Sequence, residues 1–251
     1  MAKPYMIRIG SQNGGVGKTA IAVNLASALS LMKYNVLLVD GDTISPSTNT
    51  YLGLKDIKRE IGEILFSKMD IGIIMAILNK INIKDLLSID QRTGLHVLPG
   101  VVTNVPVSQE ESDKYIVEKI SQLDDFDFAI FDTHAGIYYE SIMKLYDEEM
   151  IISLPTMKSI TFAIQLNEIC KRVGSRASFV LNRVSRGRGE LGVEALEEAL
   201  GERVLVSIPE DDINVASEEK RIPAVLLNKN SQFSKRIFDL ARICAGKVAK
   251  K

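Results

Sequence analysis

The chain has 251 residues, of which 46% are hydrophobic, and its formal net charge is −1 at pH 7. No linker rich in Ser, Gly or Pro divides it, so we expect residues 1–251 to form one domain. The near-neutral charge excludes a chain-wide field that attracts nucleic acid, and residues 1–6 lack the apolar core of a signal peptide. We therefore expect a cytoplasmic protein.

Apolar runs of strand length alternate with helix-periodic segments along the whole chain. The apolar runs show little polar alternation, which is typical of strands buried on both faces of a parallel sheet. We predict strands at 6–10, 36–40, 96–99, 128–132, 150–154, 179–182 and 204–208. We predict helices at 19–33, 108–123, 159–173, 192–200 and 231–247. This order predicts an α/β fold, with a mainly parallel twisted sheet covered by helices on both faces.

One stretch, residues 55–89, interrupts this alternation. It is dense in Ile and Leu and is long enough for two or more short helices where a single crossover would suffice. Such a segment is either a helical layer on the edge of the sheet or a surface for a partner. The sequence leaves both interpretations open.

Residues that bind transition metals are sparse and scattered. Cys170 and Cys244 lie far apart, and no Cys-x-Cys or Cys-x-x-Cys pair occurs. His96 and His134 have no ligand partner at helical or hairpin spacing. We therefore expect both cysteines to pack as small apolar residues, and no transition metal to bind.

A glycine-rich loop joins the first predicted strand to the first predicted helix. Asn13 precedes it, and it reads Gly14-Gly15-Val16-Gly17-Lys18-Thr19, followed by Ala20. Closely spaced phosphate oxygens need convergent backbone N–H groups with no Cβ atoms in the way, which glycines provide. We predict that residues 13–20 bind a nucleoside triphosphate. Lys18 would reach the β- and γ-phosphates, and the Thr19 hydroxyl would ligate Mg²⁺.

Two of the buried strands end in carboxylates at the edge where α/β proteins bind ligands. The strand 36–40 ends in Asp40, and Gly41 lets the chain turn so that Asp42 also approaches the nucleotide. The strand 128–132 ends in Asp132, which we predict acts on Mg²⁺ through water.

These motifs resemble those of the ParA/MinD family of partitioning and positioning ATPases. The resemblance is closest to the MinD-like members. The loop is similar to the family's variant Lys-Gly-Gly-x-Gly-Lys-Thr, with Asn13 in place of the signature lysine. The resemblance implies a catalytic set of Lys18, Asp42 and Asp132, in which Asp42 aligns the attacking water or joins the magnesium shell.

The second switch of the family is similar to residues 132–136, which read Asp-Thr-His-Ala-Gly. The resemblance implies that the Gly136 N–H contacts the γ-phosphate. His134 stands where proline is usual, and we interpret it as a substituted turn residue rather than an acid or base.

The family resemblance also implies which residues face the base. Asn182 and Arg183 resemble the end of the family's strand whose Asn reads adenine. An amide suits this role because it both donates and accepts hydrogen bonds. A second base-side loop is similar to Pro209, Glu210 and Asp211. The Lys-x-Asp motif typical of GTP-specific relatives is missing, so we predict ATP.

Several residues depart from the family pattern at the expected dimer interface. Asn13 lacks the charge that crosses to the partner's phosphates, and Thr156 and Phe162 replace the acids that face it, whereas Lys158 offers a substitute charge. Two hypotheses follow. The chain is either an ATPase that forms an ATP-dependent homodimer with an activator or cargo adaptor, or a nucleotide-gated scaffold with little hydrolysis.

Two basic segments raise the question of a DNA or membrane surface. An acid-free window, 169–189, holds Lys171, Arg172, Arg176, Arg183, Arg186 and Arg188. It is interpreted either as a DNA or lipid patch or as a solvated turn. The C-terminal stripe from Phe233 to Val248 is interpreted as a core-docked helix rather than a membrane helix.

Overall fold

Eight strands form one sheet in the computed structural model, which describes residues 3–42, 47–54, 83–100, 109–136, 138–185 and 192–248. The strands are β1 (Tyr5–Gly10), β2 (Val36–Asp40), β3 (Ser88–Asp90), β4 (Leu95–Leu98), β5 (Phe128–Asp132), β6 (Glu148–Ser153), β7 (Ala177–Val184) and β8 (Val204–Pro209). Their order across the sheet is β3-β4-β2-β5-β1-β6-β7-β8. All neighbouring pairs are parallel except β3 and β4.

The helices between these strands are α1 (Lys18–Leu31), α2 (Thr48–Leu52), α3 (Gln109–Ile120), α4 (Glu140–Met143), α5 (Met157–Val173), α6 (Val193–Leu200), α7 (Ile213–Lys220), α8 (Ala224–Leu227) and α9 (Gln232–Val248). A short 3₁₀ helix, Ile83–Leu86, precedes β3. The predicted α/β class with a mainly parallel sheet is confirmed.

The two faces of the sheet pack against different helices, because alternate side chains of a strand point in opposite directions. Ile7 of β1 lies in a core cluster with Leu25 of α1 and Ile237 of α9. Its neighbour Met6 belongs to a second cluster with Val117 of α3. A third cluster joins α5 and α6 to β6 and β7. The sheet is therefore covered on both sides, as its apolar strands predict.

Residues 55–82 lie outside the described residues, so the helices expected in 55–89 stay a prediction there, whereas the end of that segment enters a strand. Residues 88–90 form the edge strand β3, which is antiparallel to β4. A tight turn joins the two strands: the Asp90 carbonyl accepts from the N–H of Gly94, and the Asp90 carboxylate accepts from the Thr93 hydroxyl. A three-residue strand is too short to show a period of two in the sequence.

Strand β6 begins earlier than predicted, because two carboxylates that look like a solvated loop are buried in it. Glu148 and Glu149 have exposures of only 0% and 1%. Glu149 Oε1 accepts from Nη1 of Arg8 at 2.8 Å, and Glu148 Oε2 accepts from the Tyr5 hydroxyl at 2.9 Å. The hydrogen bonds from these two residues of β1 thus offset the desolvation cost of burying the carboxylates.

The C-terminal helix docks on the sheet, as predicted. Its apolar stripe is buried, with Phe233, Ile237, Leu240, Ala241 and Cys244 at 1% exposure or less. Near its end, the Lys247 ammonium donates to both oxygens of Glu148, at 2.6 and 2.7 Å. In the part of the chain that the structure describes, no helix is long and apolar enough to cross a membrane.

Candidate functional site

The glycine-rich loop connects β1 to α1 and presents the start of a 14-residue helix. Gly17 is the N-cap residue, with φ of 94°, and it provides no side-chain cap. The first turn of α1 contains no acidic residue. Backbone N–H groups at the start of a helix carry partial positive charge, so this arrangement favours an anion. Ala20 lies in that first turn.

Lys18 points back along the loop. Its Nζ donates to the Ser11 hydroxyl at 3.1 Å, and that hydroxyl donates to the Asn13 carbonyl at 2.7 Å. Burial lowers the pKa of Lys18, whereas the nearby carboxylates of Asp132 and Asp42 raise it. Ser11 was not predicted as a site residue, and only its place between strand and loop signals this role.

Asn182 of β7 is hydrogen-bonded to the glycine-rich loop. Its amide nitrogen donates to the carbonyl of Val16 at 2.7 Å, and the side chain is almost fully buried. Asn182 lies within an irregularity in the pairing of β7 with β8, between Leu181 and Val184, where Arg183 adopts a left-handed φ of 54°. One amide hydrogen of Asn182 is thus already bonded to the phosphate loop. The contact with adenine predicted for Asn182 and Arg183 stays a prediction.

Asp40 and Asp132 face each other in register at the ends of β2 and β5. The Asp40 carboxylate does not point freely to the site. Its Oδ2 accepts from the backbone N–H of Ser47 at 2.9 Å and from both the N–H and the hydroxyl of Thr48, at 3.0 and 2.9 Å. Asp40 therefore anchors α2. Hydroxyl residues seven and eight positions after an acid are a weak signal for such a turn.

Asp132 is the buried acid of the site, and only 2% of it is exposed. Burial, helped by the nearby charges of Asp40 and Asp42, raises its pKa to about 7, although the Thr19 hydrogen bond and the Lys18 charge act in the opposite direction. Its Oδ1 is buried without a hydrogen-bond partner. A buried, unpartnered carboxylate oxygen next to a threonine hydroxyl and other acids fits a hard cation such as Mg²⁺.

The residues for such a cation are few. Among the described residues, no three His, Cys, Asp or Glu side chains are grouped so as to hold a metal ion by themselves. Mg²⁺ usually keeps several waters and binds one or two protein ligands together with phosphate oxygens. Thr19, whose hydroxyl lies 3.5 Å from that of Ser47, and Asp132 suit this arrangement.

The loop after β5 brings a histidine to Asp42. Nδ1 of His134 lies 3.3 Å from Oδ2 of Asp42. The same loop is held on β1 by Thr133, whose hydroxyl donates to the Ile9 carbonyl at 2.9 Å. The Gly136 N–H donates to the Ser11 carbonyl at 3.1 Å. The predicted contact of Gly136 with a γ-phosphate would require this N–H to leave Ser11.

The predicted base-side loop has structural contacts of its own. The Glu210 N–H donates to the Val184 carbonyl at 3.1 Å, next to Pro209 at the end of β8. The Asp211 carboxylate accepts from the N–H of Ile213 and from the N–H of Phe233, each at 3.0 Å. Asp211 thus joins the starts of α7 and α9. Contacts of these residues with a base stay predictions.

Apart from Asn13, the residues expected at the dimer interface lie at the start of α5. The Thr156 side chain caps this helix by accepting from the Ser159 N–H at 3.4 Å. The Lys158 ammonium lies 5.9 Å from the centre of the Phe162 ring, and Met157 is 67% exposed.

The basic window is partly neutralised. Lys171 pairs with Glu168 at 3.1 Å, and Arg172 pairs with Glu140 of α4. Arg186 and Arg188 lie outside the described residues. The choice between a patch and a solvated turn stays open.

A strand, a glycine loop, an uncapped helix start and two acids at one sheet edge define a phosphate-loop nucleotide-binding protein. Residues 7–224 match the CobQ/CobB/MinD/ParA nucleotide binding domain, and the chain belongs to this family. An uncharacterised ATP-binding protein of Methanocaldococcus jannaschii is 30% identical over 246 residues, which cover 96% of this chain and 88% of the relative.

Solved structures of MinD have the same fold. The septum site-determining protein MinD of Pyrococcus horikoshii, complexed with Mg-ADP, superposes with a TM-score of 0.79 at 26% identity and full coverage of both chains. A chain from the MinC:MinD cell division protein complex of Aquifex aeolicus gives a TM-score of 0.77 at 25% identity, covering 96% of this chain and 95% of that one.

Proposed function

We propose that this chain is a MinD/ParA-like ATPase, folded as one domain, that binds ATP with Mg²⁺ and hydrolyses it in a cycle linked to dimerisation. The observation that carries the proposal is the buried carboxylate of Asp132. It lies near Lys18 and Thr19, and its Oδ1 has no hydrogen-bond partner. The Mg-ADP bound by the similar MinD of P. horikoshii supports the same cofactors here.

The residues of the chain divide the work by position. The N–H groups at the start of α1 and the Lys18 ammonium bind the phosphates, and Thr19 and Asp132 hold the cation. Bound Mg²⁺ would supply positive charge against the phosphate oxygens. Asp42 lies on the loop opposite Asp132 and would orient the attacking water.

The cycle would position or partition a cellular cargo such as DNA, a division apparatus, or a pilus or motility apparatus. The family supports this role, and the MinC:MinD complex of a similar protein supports a protein partner. A nucleoid or membrane surface is the proposed place of action in the cytoplasm.

A nucleotide-gated scaffold is the second candidate. Asn13 lacks the charge expected to reach a partner's nucleotide, and Thr156 caps its own helix rather than presenting a carboxylate. Such a chain would bind ATP and dimerise or dock a partner, and would release little phosphate.

Two measurements test these functions: ATP binding, which both require, and phosphate release, which separates them. Binding of fluorescent ATP and ADP is measured for the wild-type chain and Lys18→Ala, and we expect the variant to lose both because the main cation of the cradle is gone. A folded Lys18→Ala that binds MgATP with wild-type affinity would contradict the phosphate site. Phosphate release with Mg²⁺ or EDTA then decides between ATPase and scaffold.

Asp42→Ala is the matched variant for the chemical step. We expect it to bind ATP nearly as the wild type does and to stop turnover, since the carboxylate is proposed to align water. Loss of binding together with turnover would instead assign Asp42 to the magnesium shell.

A further inference from the structure

His134 and Asp42 occupy equivalent places on two adjacent loops. Asp40 of β2 pairs in register with Asp132 of β5. Asp42 and His134 each lie two residues beyond this pair, and the ladder continues between them because the Gly41 N–H donates to the Asp132 carbonyl at 2.8 Å. Their side chains meet with Nδ1 and Oδ2 at 3.3 Å.

The backbone is fixed on both sides of this contact. The Asp42 N–H donates to Oδ1 of Asp40 at 3.2 Å. On the other loop, Thr133 and Gly136 bond to the Ile9 and Ser11 carbonyls. The histidine ring therefore reaches Asp42 from an anchored loop. A turn residue without a ring nitrogen could not form this hydrogen bond with Asp42.

We propose that His134 is a positioning residue that holds the carboxylate of Asp42 for the proposed hydrolysis, an inference that rests on the proposed function. A carboxylate only accepts hydrogen bonds, so Nδ1 carries the hydrogen and donates it to Oδ2. Binding one oxygen restricts rotation of the carboxylate and so fixes the orientation of the whole group. This proposal gives His134 a role beyond that of a substituted turn residue.

The hydrogen bond is tested first without nucleotide. Nitrogen-15 NMR of the imidazole rings at about pH 8.5, above the ordinary pKa of histidine, reports which nitrogen is protonated. We expect protonated Nδ1 in the wild-type chain and loss of this signature in Asp42→Ala. His96→Asn assigns the signals, because the chain has only two histidines. An Nδ1 that carries no hydrogen in the wild-type chain would overturn the inference.

The kinetic test uses three variants whose folding is verified by thermal unfolding. His134→Ala should lower kcat roughly 10- to 100-fold with the ATP dissociation constant unchanged, because misplacement of a reacting group costs rate rather than affinity. His134→Asn keeps an N–H donor near Nδ1 and should restore most of the rate. His96→Asn, on β4, should behave as the wild type.

A double variant shows whether His134 acts through Asp42. In the Asp42→Ala background, His134→Ala should cause no further loss, since the group it positions is gone. Wild-type turnover in His134→Ala, with turnover lost in Asp42→Ala, would overturn this inference and leave the proposed function intact. A wild-type chain that binds ATP but releases no phosphate would refute the proposed hydrolysis and this inference with it.

Discussion

Asn182 and Gly17 approach so closely that no side chain fits between them. A Cβ atom at position 17 would lie 2.5 Å from the Asn182 amide nitrogen, which donates to the carbonyl of the preceding Val16. Gly17 also adopts φ of 94°, which favours glycine. The shape of the phosphate loop therefore depends on a side chain from β7.

Gly17→Ala should destabilise the protein and weaken ATP binding, because it combines a left-handed backbone with a clash against Asn182. We expect a loss of about 1–3 kcal/mol in the free energy of unfolding, measured by urea without nucleotide. Gly14→Ala is the control, since its Cβ would have no atom within 4 Å. We expect it to change stability by less than about 0.5 kcal/mol. Equal losses in both variants would contradict the role of the Asn182 contact.

The raised pKa of Asp132, about 7, predicts a pH dependence of stability in the magnesium-free protein. The native chain binds this proton more tightly than the unfolded chain, whose Asp pKa is about 3.9. The stability that this proton contributes is thus fully present below about pH 4 and is lost as pH rises through about 7. The free energy of unfolding should fall by about 2–4 kcal/mol over this range.

Asp132→Asn should remove this dependence. Urea unfolding in EDTA at pH 5 and pH 8 should show that the variant gains stability relative to the wild type at pH 8. Asp124→Asn, at an exposed carboxylate outside the site, serves as the control. A variant that follows the wild-type pH profile would show that the Asp132 proton is not linked to folding.

Lys247→Met should destabilise the docking of α9. The lysine binds a carboxylate that is 0% exposed, and removal of one partner of a buried ion pair costs about 3–5 kcal/mol. Lys235→Met, at an exposed position of the same helix, should have little effect in the same unfolding experiment. Adding Glu148→Gln to Lys247→Met should recover part of the loss, and no recovery would argue against an uncompensated charge as the cause.

Asn13→Lys tests the proposed dimer. A cation placed against a partner's phosphates is worth about 10³ to 10⁵ in rate where an arginine finger is used. We expect faster phosphate release or a tighter ATP-bound dimer, with a gain well below that ceiling because Thr156 and Phe162 replace the acids that would orient the lysine. Phosphate release and ATP-dependent mass are measured together. If neither changes, position 13 does not face a partner's nucleotide.

The fold class and several elements could be predicted because their signals are local. β2 and β5 lie where predicted, since each is a continuous apolar run that ends at an Asp before the chain turns. The helix after the phosphate loop begins within one residue of its predicted start. The edge strand β3 and the start of β6 were missed, because one is too short and the other buries two acids.

The contacts of the candidate site depend on tertiary structure. Asn182 meets a carbonyl 166 residues away, His134 meets Asp42 across 92 residues, and Asp211 joins two helix starts rather than standing free beside a base. The sequence by itself determined the phosphate loop and the two acid-tipped strands, because backbone freedom and apolar runs act over a few residues. Only the strand order and register decided which side chains meet, since contacts between distant segments form when those strands pair.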